Sequence, residues 1–224
     1  MLLSIALAAQ LAGYCASEVA PGTSVAVAAA ESGLDPLAIR DNTADMVWRP
    51  KDRRKALWLA EKLVAAGHRL DLGLMQIDSA NLARLHLTLS QAFDPCASMR
   101  AAATLLTADY KLALGGVGEG VVAASGQRAL LAAISRYNTG DPVRGFHNGY
   151  VARVVIAARY VVPAIAVDSA PASADRAAPE KSTAPDWRVF DNTANDSSWN
   201  VFQAAEPGRL SGSSHPANLN QTGE

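Results

Sequence analysis

Residues 28–36, which read Ala-Ala-Ala-Glu-Ser-Gly-Leu-Asp-Pro, decide the fold of this chain. Positions 25–30 are all small or apolar, and a single carboxylate, Glu31, follows them just before Gly33, a residue type that commonly ends helices. Pro21 suits the first turn of the same helix, so we predict a helix from Pro21 to Gly33. Apolar neighbours disfavour an ionised carboxylate and raise its pKa. Glu31 therefore has the setting of a general acid, and the alternative is an ordinary surface Glu in a last helical turn.

Length and composition limit the class of protein. A chain of 224 residues can form one domain with a sizeable core plus additional material. The formal net charge of -1 gives no basic surface of the kind that nucleic-acid binding requires. No segment approaches the roughly 18 uninterrupted apolar residues of a spanning helix. We therefore predict a soluble protein without a nucleic-acid partner and without a membrane span.

The N-terminus and the cysteines leave alternatives open. Residues 1–9 are apolar enough for a short signal-peptide core but have no Lys or Arg ahead of them, so we favour a first amphipathic helix over residues 2–14 and a short or atypical export signal. Cys15 and Cys96 lie too far apart for a zinc site, and the histidines show no ligand spacing, so we expect no metal and no cofactor. The two cysteines are either a disulfide or two buried thiols.

Helical patterns cover most of the first 164 residues. Apolar periodicity and capping signals predict helices over residues 52–66, 94–114, 127–137 and 148–162, and a further one capped by Asp78. No segment alternates with period two, and residues 39–50 indicate a polar connection. We predict an all-α domain over residues 1–164.

The chain changes character after this domain. Residues 165–224 are rich in Ala, Pro, Ser and Asp, a composition typical of a disordered tail. Trp187 and Trp199 stand alone in polar surroundings and are candidate docking points for a partner.

Gln76 is a lone amide within the apolar run at residues 72–77. Gly73 in the same run allows the backbone to approach another segment closely. A buried amide needs a hydrogen-bonding partner, so Gln76 either bonds to main chain or faces a ligand from the wall of a cleft.

Four segments, taken in order, carry a resemblance to a known family: Glu-Ser-Gly-Leu-Asp-Pro at 31–36, Gly-Leu-Met-Gln-Ile at 73–77, Ser-Arg-Tyr-Asn-Thr-Gly at 135–140 and Gly-Tyr-Val-Ala-Arg-Val at 149–154. Over about residues 5–162 the chain resembles the soluble lytic transglycosylases, which share a fold with goose-type lysozyme. Asp41-Asn42-Thr43 and the pair Cys15 and Cys96 are similar to the transglycosylase subunits of type IV secretion and conjugation systems.

This resemblance implies an all-α, lysozyme-like helical domain that acts on the glycan strands of peptidoglycan in the periplasm. It implies a disulfide between Cys15 and Cys96, and contacts with secretion-system components through the tail. Glu31 matches the catalytic glutamate. Residues that match the substrate-binding positions are Ser32, Met75 as an apolar wall, Gln76, Tyr137 with its hydroxyl near the catalytic carboxyl, Asn138, and Tyr150 as a further aromatic.

The implied chemistry cleaves the β-1,4 bond between N-acetylmuramic acid and N-acetylglucosamine and leaves a 1,6-anhydromuramyl end. One acid suffices for this reaction, whereas a lysozyme-type hydrolase needs a second carboxylate, for which Asp35 and Asp78 are the nearest candidates. A non-catalytic, glycan-binding assembly factor is the remaining alternative.

Overall fold

The computed structural model describes residues 2–115 and 126–168. Within these residues the chain forms helices with a small sheet between them. The helices are α1 (Ile5–Cys15), α2 (Pro21–Ser32), α3 (Arg53–Ala65), α4 (Leu89–Ala92), α5 (Pro95–Gly115), α6 (Gly126–Thr139), α7 (Arg144–His147) and α8 (Tyr150–Asp168). The strands are β1 (Ile39–Asp41), β2 (Met46–Trp48), β3 (Leu70–Leu72) and β4 (Ile77–Asp78), followed by a 3-10 turn at Ser79–Asn81.

Helix α2 is the central helix of the core. It begins with Pro21 at its first turn and ends at Gly33, which has the left-handed φ of 68° that a glycine adopts without strain, as the sequence predicted. Residues 25–28 are fully buried, and the helix packs against α1 on one side and α8 on the other. A helix covered in this way has little polar surface, which explains the run of small and apolar residues at positions 25–30.

Helix α1 belongs to the folded domain, as expected for residues 2–14. Ser4 caps its first turn, and Ala8 and Ala12 are completely buried. Cys15 at its end forms a disulfide with Cys96 at the start of α5, with 5.4 Å between the Cα atoms. The disulfide expected from the resemblance is therefore confirmed, and it links two helices separated by 81 positions in sequence.

The sheet was not expected from the sequence. Its order is β2-β1-β3-β4 with all neighbours antiparallel. Residues 39–50, predicted as an irregular connection, contain β1 and β2, so that prediction was wrong. Strands of two or three residues, with β2 exposed along its whole length, are too short for a period-two pattern to be recognised in the sequence.

Most of the longer helices follow their predicted limits. Asp52 caps α3 through the Lys55 amide, and Asp94 accepts a bond from the Ala97 amide at the start of α5. Asp78 caps only a 3-10 turn where a longer helix was predicted. The short helices α4 and α7 were missed because one turn carries too little periodicity to recognise.

Helix α8 continues through Pro163 to Asp168, past the predicted limits of both this helix and the domain. The predicted glycine-rich loop between α5 and α6 and nearly all of the predicted disordered tail lie outside the described residues, so both remain predictions.

Helix α8 is also apolar and long enough, by length and composition, to cross a membrane over Tyr150–Val167. In this structure one face of the helix is buried against α2, with Val154, Ala158 and Val161 almost inaccessible. Its first residue, Tyr150, is likewise buried inside the domain. The apolar sequence of this face is accounted for by the packing of the domain core.

Candidate active site

A cavity of about 1140 Å³ lies between the small sheet and helices α2, α5, α6 and α8. Glu31 lines it together with Asp71, Gln76, Tyr137 and Tyr150. The sequence segments that predicted the site, distant along the chain, therefore meet around one space.

Glu31 occupies the last turn of α2 at the edge of the apolar core. Burial raises its pKa from 4.5 to about 7. The hydrogen bond from Tyr150 and the positive charge of Arg153 lower the pKa of Glu31 and so oppose the effect of burial. The negative charge of Asp71 raises this pKa further. A carboxyl group with this pKa holds its proton near neutral pH, as the apolar sequence around it predicted, and is suited to general acid catalysis.

The hydroxyl that contacts Glu31 belongs to Tyr150, which donates a hydrogen bond to Oε1. The Cζ atom of Arg153, one turn further along α8, lies 5.4 Å from the centroid of the Tyr150 ring, so a cation–π contact holds this ring. Tyr150 was expected only as a further aromatic near the site. The packing of α8 against α2 is what brings its hydroxyl to the carboxyl group.

The hydroxyl of Tyr137, expected near the catalytic carboxyl, does not donate its hydrogen bond to Glu31. It donates instead to the carbonyl oxygen of Met75, at 2.7 Å. Tyr137 still lines the cavity. Burial is the main cause that raises the pKa of its hydroxyl, and the charge of Glu31 is the second. Its ring therefore shapes the site, while its hydroxyl anchors the loop at residues 73–77.

Ser32 and Met75, both expected to bind substrate, do not line the cavity. Ser32 is buried and its hydroxyl bonds to the carbonyl oxygen of Leu74 at 2.7 Å. Successive residues of a helix point about 100° apart, so Ser32 faces the core when its neighbour Glu31 faces the cavity. The Met75 side chain is 1% exposed and belongs to the core. The Ser32 hydroxyl therefore anchors the 73–77 loop, and the Met75 side chain fixes that loop to the core.

The sequence left two alternatives for Gln76, a bond to main chain and a place on the wall of a cleft, and the structure shows both. The Nε2 atom of Gln76 donates to the carbonyl oxygens of Gly73 at 2.8 Å and Ala38 at 3.2 Å, and the residue also lines the cavity. Gly73 has a φ of 73°, and a Cβ atom there would lie 2.1 Å from the carbonyl oxygen of Ala92. The predicted close backbone approach at this glycine is therefore confirmed.

Asn138 lines the cavity from the end of α6, as expected for a residue that contacts substrate. Its Oδ1 atom accepts a hydrogen bond of 2.9 Å from Nδ2 of Asn148. This bond connects the end of α6 to the residues just before α8, and it orients the amide at the rim of the site.

Asp71 is a second carboxylate in the cavity that sequence reasoning missed. Burial raises its pKa, a hydrogen bond from Asn42 opposes this shift, and its charge acts on Glu31. The only local signal was the alternation Leu70-Asp71-Leu72, in which both leucines are buried and the aspartate lies on the opposite face of β3. Asn42 belongs to the Asp41-Asn42-Thr43 stretch, so that stretch supports the second carboxylate.

The two carboxylates named from the sequence have other partners. Asp35 is buried, lies outside the cavity lining, and pairs with Arg49 at 3.1 Å. Asp78 lines the cavity but forms a close ion pair with Arg69. Asp71 is therefore better placed than either to act beside Glu31.

No group of three or more His, Cys, Asp or Glu side chains within residues 2–115 and 126–168 is arranged to hold a metal ion. The absence of a metal and of a cofactor stays a prediction from the sequence.

Comparisons with known proteins show which sequences this chain is similar to. Protein virB1 of Agrobacterium fabrum is 42% identical over 161 residues, which cover 72% of this chain and 63% of that protein. Type IV secretion system protein virB1 of Brucella suis biovar 1 is 35% identical over 164 residues, which cover 70% of this chain and 66% of that protein. The chain thus spans just under two thirds of the first of these relatives.

The solved structures contain no match to this chain. The family described as Transglycosylase SLT domain matches residues 11–152, a range that includes Glu31, Asp71, Tyr137 and Tyr150. The chain therefore belongs to the transglycosylase SLT domain family.

Proposed function

We propose that this protein is a peptidoglycan lytic transglycosylase that cleaves the β-1,4 bond between N-acetylmuramic acid and N-acetylglucosamine and forms 1,6-anhydromuramyl ends. The observation that carries the proposal is Glu31, a carboxyl group with a pKa near 7 in a cavity large enough for sugar rings. Membership of the family supports the same activity.

The first step uses Glu31 as an acid. Its proton passes to the glycosidic oxygen while the bond from that oxygen to C1 of N-acetylmuramic acid breaks, and N-acetylglucosamine leaves with a free 4-hydroxyl group. The N-acetyl oxygen of the substrate stabilises the positive charge that develops at C1. The ionised Asp71, which lines the same cavity, adds electrostatic stabilisation of this charge.

The second step uses Glu31 as a base. Its carboxylate takes the proton of the 6-hydroxyl group as that oxygen bonds to C1, which closes the anhydro ring and restores the protonated acid. No water is consumed. The hydrogen bond from Tyr150 stabilises the carboxylate between the two steps and orients it towards the cavity.

The second candidate function is hydrolysis of the lysozyme type, and Asp71 is the observation that favours it. A carboxylate beside the acid could activate water and yield a reducing end. Mass spectrometry of the muropeptides released by the purified protein separates the two activities, because an anhydro product is lighter than the reducing product by one water. We expect anhydro ends, and reducing ends alone would overturn the transglycosylase proposal in favour of hydrolysis.

We further propose that the activity opens the cell wall locally for assembly of a type IV secretion or conjugation apparatus in the periplasm. The name of the Brucella suis relative, a type IV secretion system protein, supports this setting. The disulfide between Cys15 and Cys96 supports it as well, because disulfides form in oxidising compartments. The part of the predicted tail that follows α8, residues 169–224, is proposed to be disordered and to contact components of that apparatus. Crosslinking of the full chain in cells, compared with a chain lacking the tail, tests this role.

A further inference from the structure

A second group of charged side chains lines the same cavity and has no part in the steps above. Arg84 follows the 3-10 turn, Asp109 lies on α5, and Arg136 lies on α6. These three residues form one electrostatic cluster, because the charges of Arg136 and Arg84 lower the pKa of Asp109. They oppose the effect of burial, which raises that pKa. With two guanidinium groups and one carboxylate, the cluster is positive when Asp109 is ionised.

One buried donor of the Arg136 side chain has no hydrogen-bond partner among the described residues. Its Nε atom is inaccessible to solvent and has no hydrogen-bond acceptor within the described part of the chain. Leaving a buried donor unpaired is unfavourable, and most such donors in folded proteins have a partner. Arg136 as a whole is half-buried and lines the cavity, so a ligand there can contact the remainder of its guanidinium group.

Three other arginines line the cavity, and one of them, Arg153, contacts the ring of Tyr150 beside Glu31. Arg69 pairs with Asp78, and Arg40 pairs with Asp45 at 3.2 Å. Among residues 2–115 and 126–168, neither Arg84 nor Arg136 forms an ion pair, and Arg84 makes only a 3.3 Å bond to the Asn81 side chain. The planar guanidinium group matches a carboxylate with two parallel hydrogen bonds, so this end of the cavity suits an anionic ligand.

The apolar neighbours of the cluster narrow the ligand further. Leu105 and Leu112 line the cavity from α5, at the spacing that places them on the same helix face as Asp109. Apolar side chains beside guanidinium groups suit a short peptide with a free carboxylate better than the hydroxyl groups of a sugar ring. In peptidoglycan such carboxylates belong to the peptide stem on the lactyl group of N-acetylmuramic acid.

We propose that Arg84 and Arg136 bind a carboxylate of the peptide stem, so that the protein selects glycan strands that carry peptides. This inference rests on the proposed function only in taking peptidoglycan as the ligand. A free carboxylate is also present in strands stripped of their stems, where the lactyl group itself bears it. The experiment therefore includes both kinds of strand.

The test measures dissociation constants by calorimetry for the full chain carrying Glu31→Gln, which prevents cleavage. Three ligands are compared: strands with intact stems, the same strands after their carboxylates are converted to amides, and strands stripped of stems. We expect the affinity for intact strands to be about tenfold higher than for the other two, which is the scale of one charge-assisted contact. Equal affinity for intact and amidated strands would overturn the proposal, and full affinity for stripped strands would assign the site to the lactyl carboxylate instead.

Substitutions identify the residues. Arg84→Gln and Arg136→Gln, each added to the same background, are expected to lower the affinity for intact strands about tenfold and to leave that for amidated strands unchanged. Arg84 is exposed, so its variant tests the proposal even if Arg136→Gln impairs folding. Arg136→Lys should recover part of the affinity.

Arg54→Gln on the exposed surface of α3 removes the same charge outside the cavity and serves as the matched control. A control that loses as much affinity as the cavity variants would show a non-specific charge effect and refute the assignment. These affinities do not depend on the reaction catalysed. Muropeptides with reducing ends would refute the transglycosylase reaction alone.

Discussion

Replacing Glu31 by Gln should inactivate the protein and stabilise it at the same time. Glutamine has nearly the same shape as glutamate but has no proton to donate in the first step and no carboxylate to accept one in the second. General acid–base catalysis contributes about 10² to 10⁴-fold to rates, and here one group performs both transfers, so we expect nearly complete loss of muropeptide release.

The stability effect follows from the pKa of Glu31. The folded protein raises that pKa from 4.5 to about 7, so between these pH values the native state binds more protons than the unfolded chain. The free energy of unfolding of the wild type therefore falls as the pH rises through this interval. Each pKa unit corresponds to about 1.4 kcal/mol, which gives a loss of about 3 kcal/mol by pH 8.

The Glu31→Gln variant has no charge to desolvate and escapes this loss. Relative to the wild type, its stability should increase by about 3 kcal/mol between pH 4 and pH 8. For a domain of this size that corresponds to a difference in Tm of roughly 6–12 °C. Such a gain at the cost of activity is common for residues that the fold holds in an unfavourable environment.

The measurement is urea unfolding followed by circular dichroism at several pH values, with muropeptide release assayed on the same samples. Glu61→Gln, on the exposed face of α3, makes the same chemical change without burial and should alter neither property. A stability difference between the Glu31→Gln variant and the wild type that does not change with pH would refute the assignment of a raised pKa. Retention of more than a tenth of wild-type turnover would refute the catalytic assignment.

Three other perturbations test the site and its support. In Tyr150→Phe the carboxylate of Glu31 loses the hydrogen bond that lowers its pKa, so the alkaline limb of the pH profile of kcat/KM should move above pH 7. An unmoved limb would argue against this contact. Reduction of the Cys15–Cys96 disulfide should lower the free energy of unfolding by about 4 kcal/mol, as the chain-entropy model gives for a loop of about 80 residues, and an unchanged Tm would contradict it. Removal of residues 169–224 should leave the specific activity on isolated sacculi unchanged, whereas a tenfold decrease with an intact circular dichroism spectrum would place the tail in the substrate groove.

The long helices could be predicted because their signals are local. Helix α2 is defined by Pro21 and Gly33, and α5 by the capping residue Asp94, all of which act within one turn of the helix end. The raised pKa of Glu31 was also predictable, because its apolar neighbours along α2 are adjacent in sequence. Strand β2 was not, because three exposed residues hold their conformation only through pairing with β1.

The sequence by itself determined the helical domain, the candidate acid Glu31 and the segments that surround it. Only the tertiary structure decided which side chains reach that acid. Ser32 and Glu31 are neighbours on α2 yet face the core and the cavity, while Tyr150 and Asp71, both remote in sequence, act on the carboxyl group. Rotation about a helix axis, the packing of α8 against α2 and the place of β3 on the cavity wall set these directions, and such long-range contacts leave no local pattern in the chain.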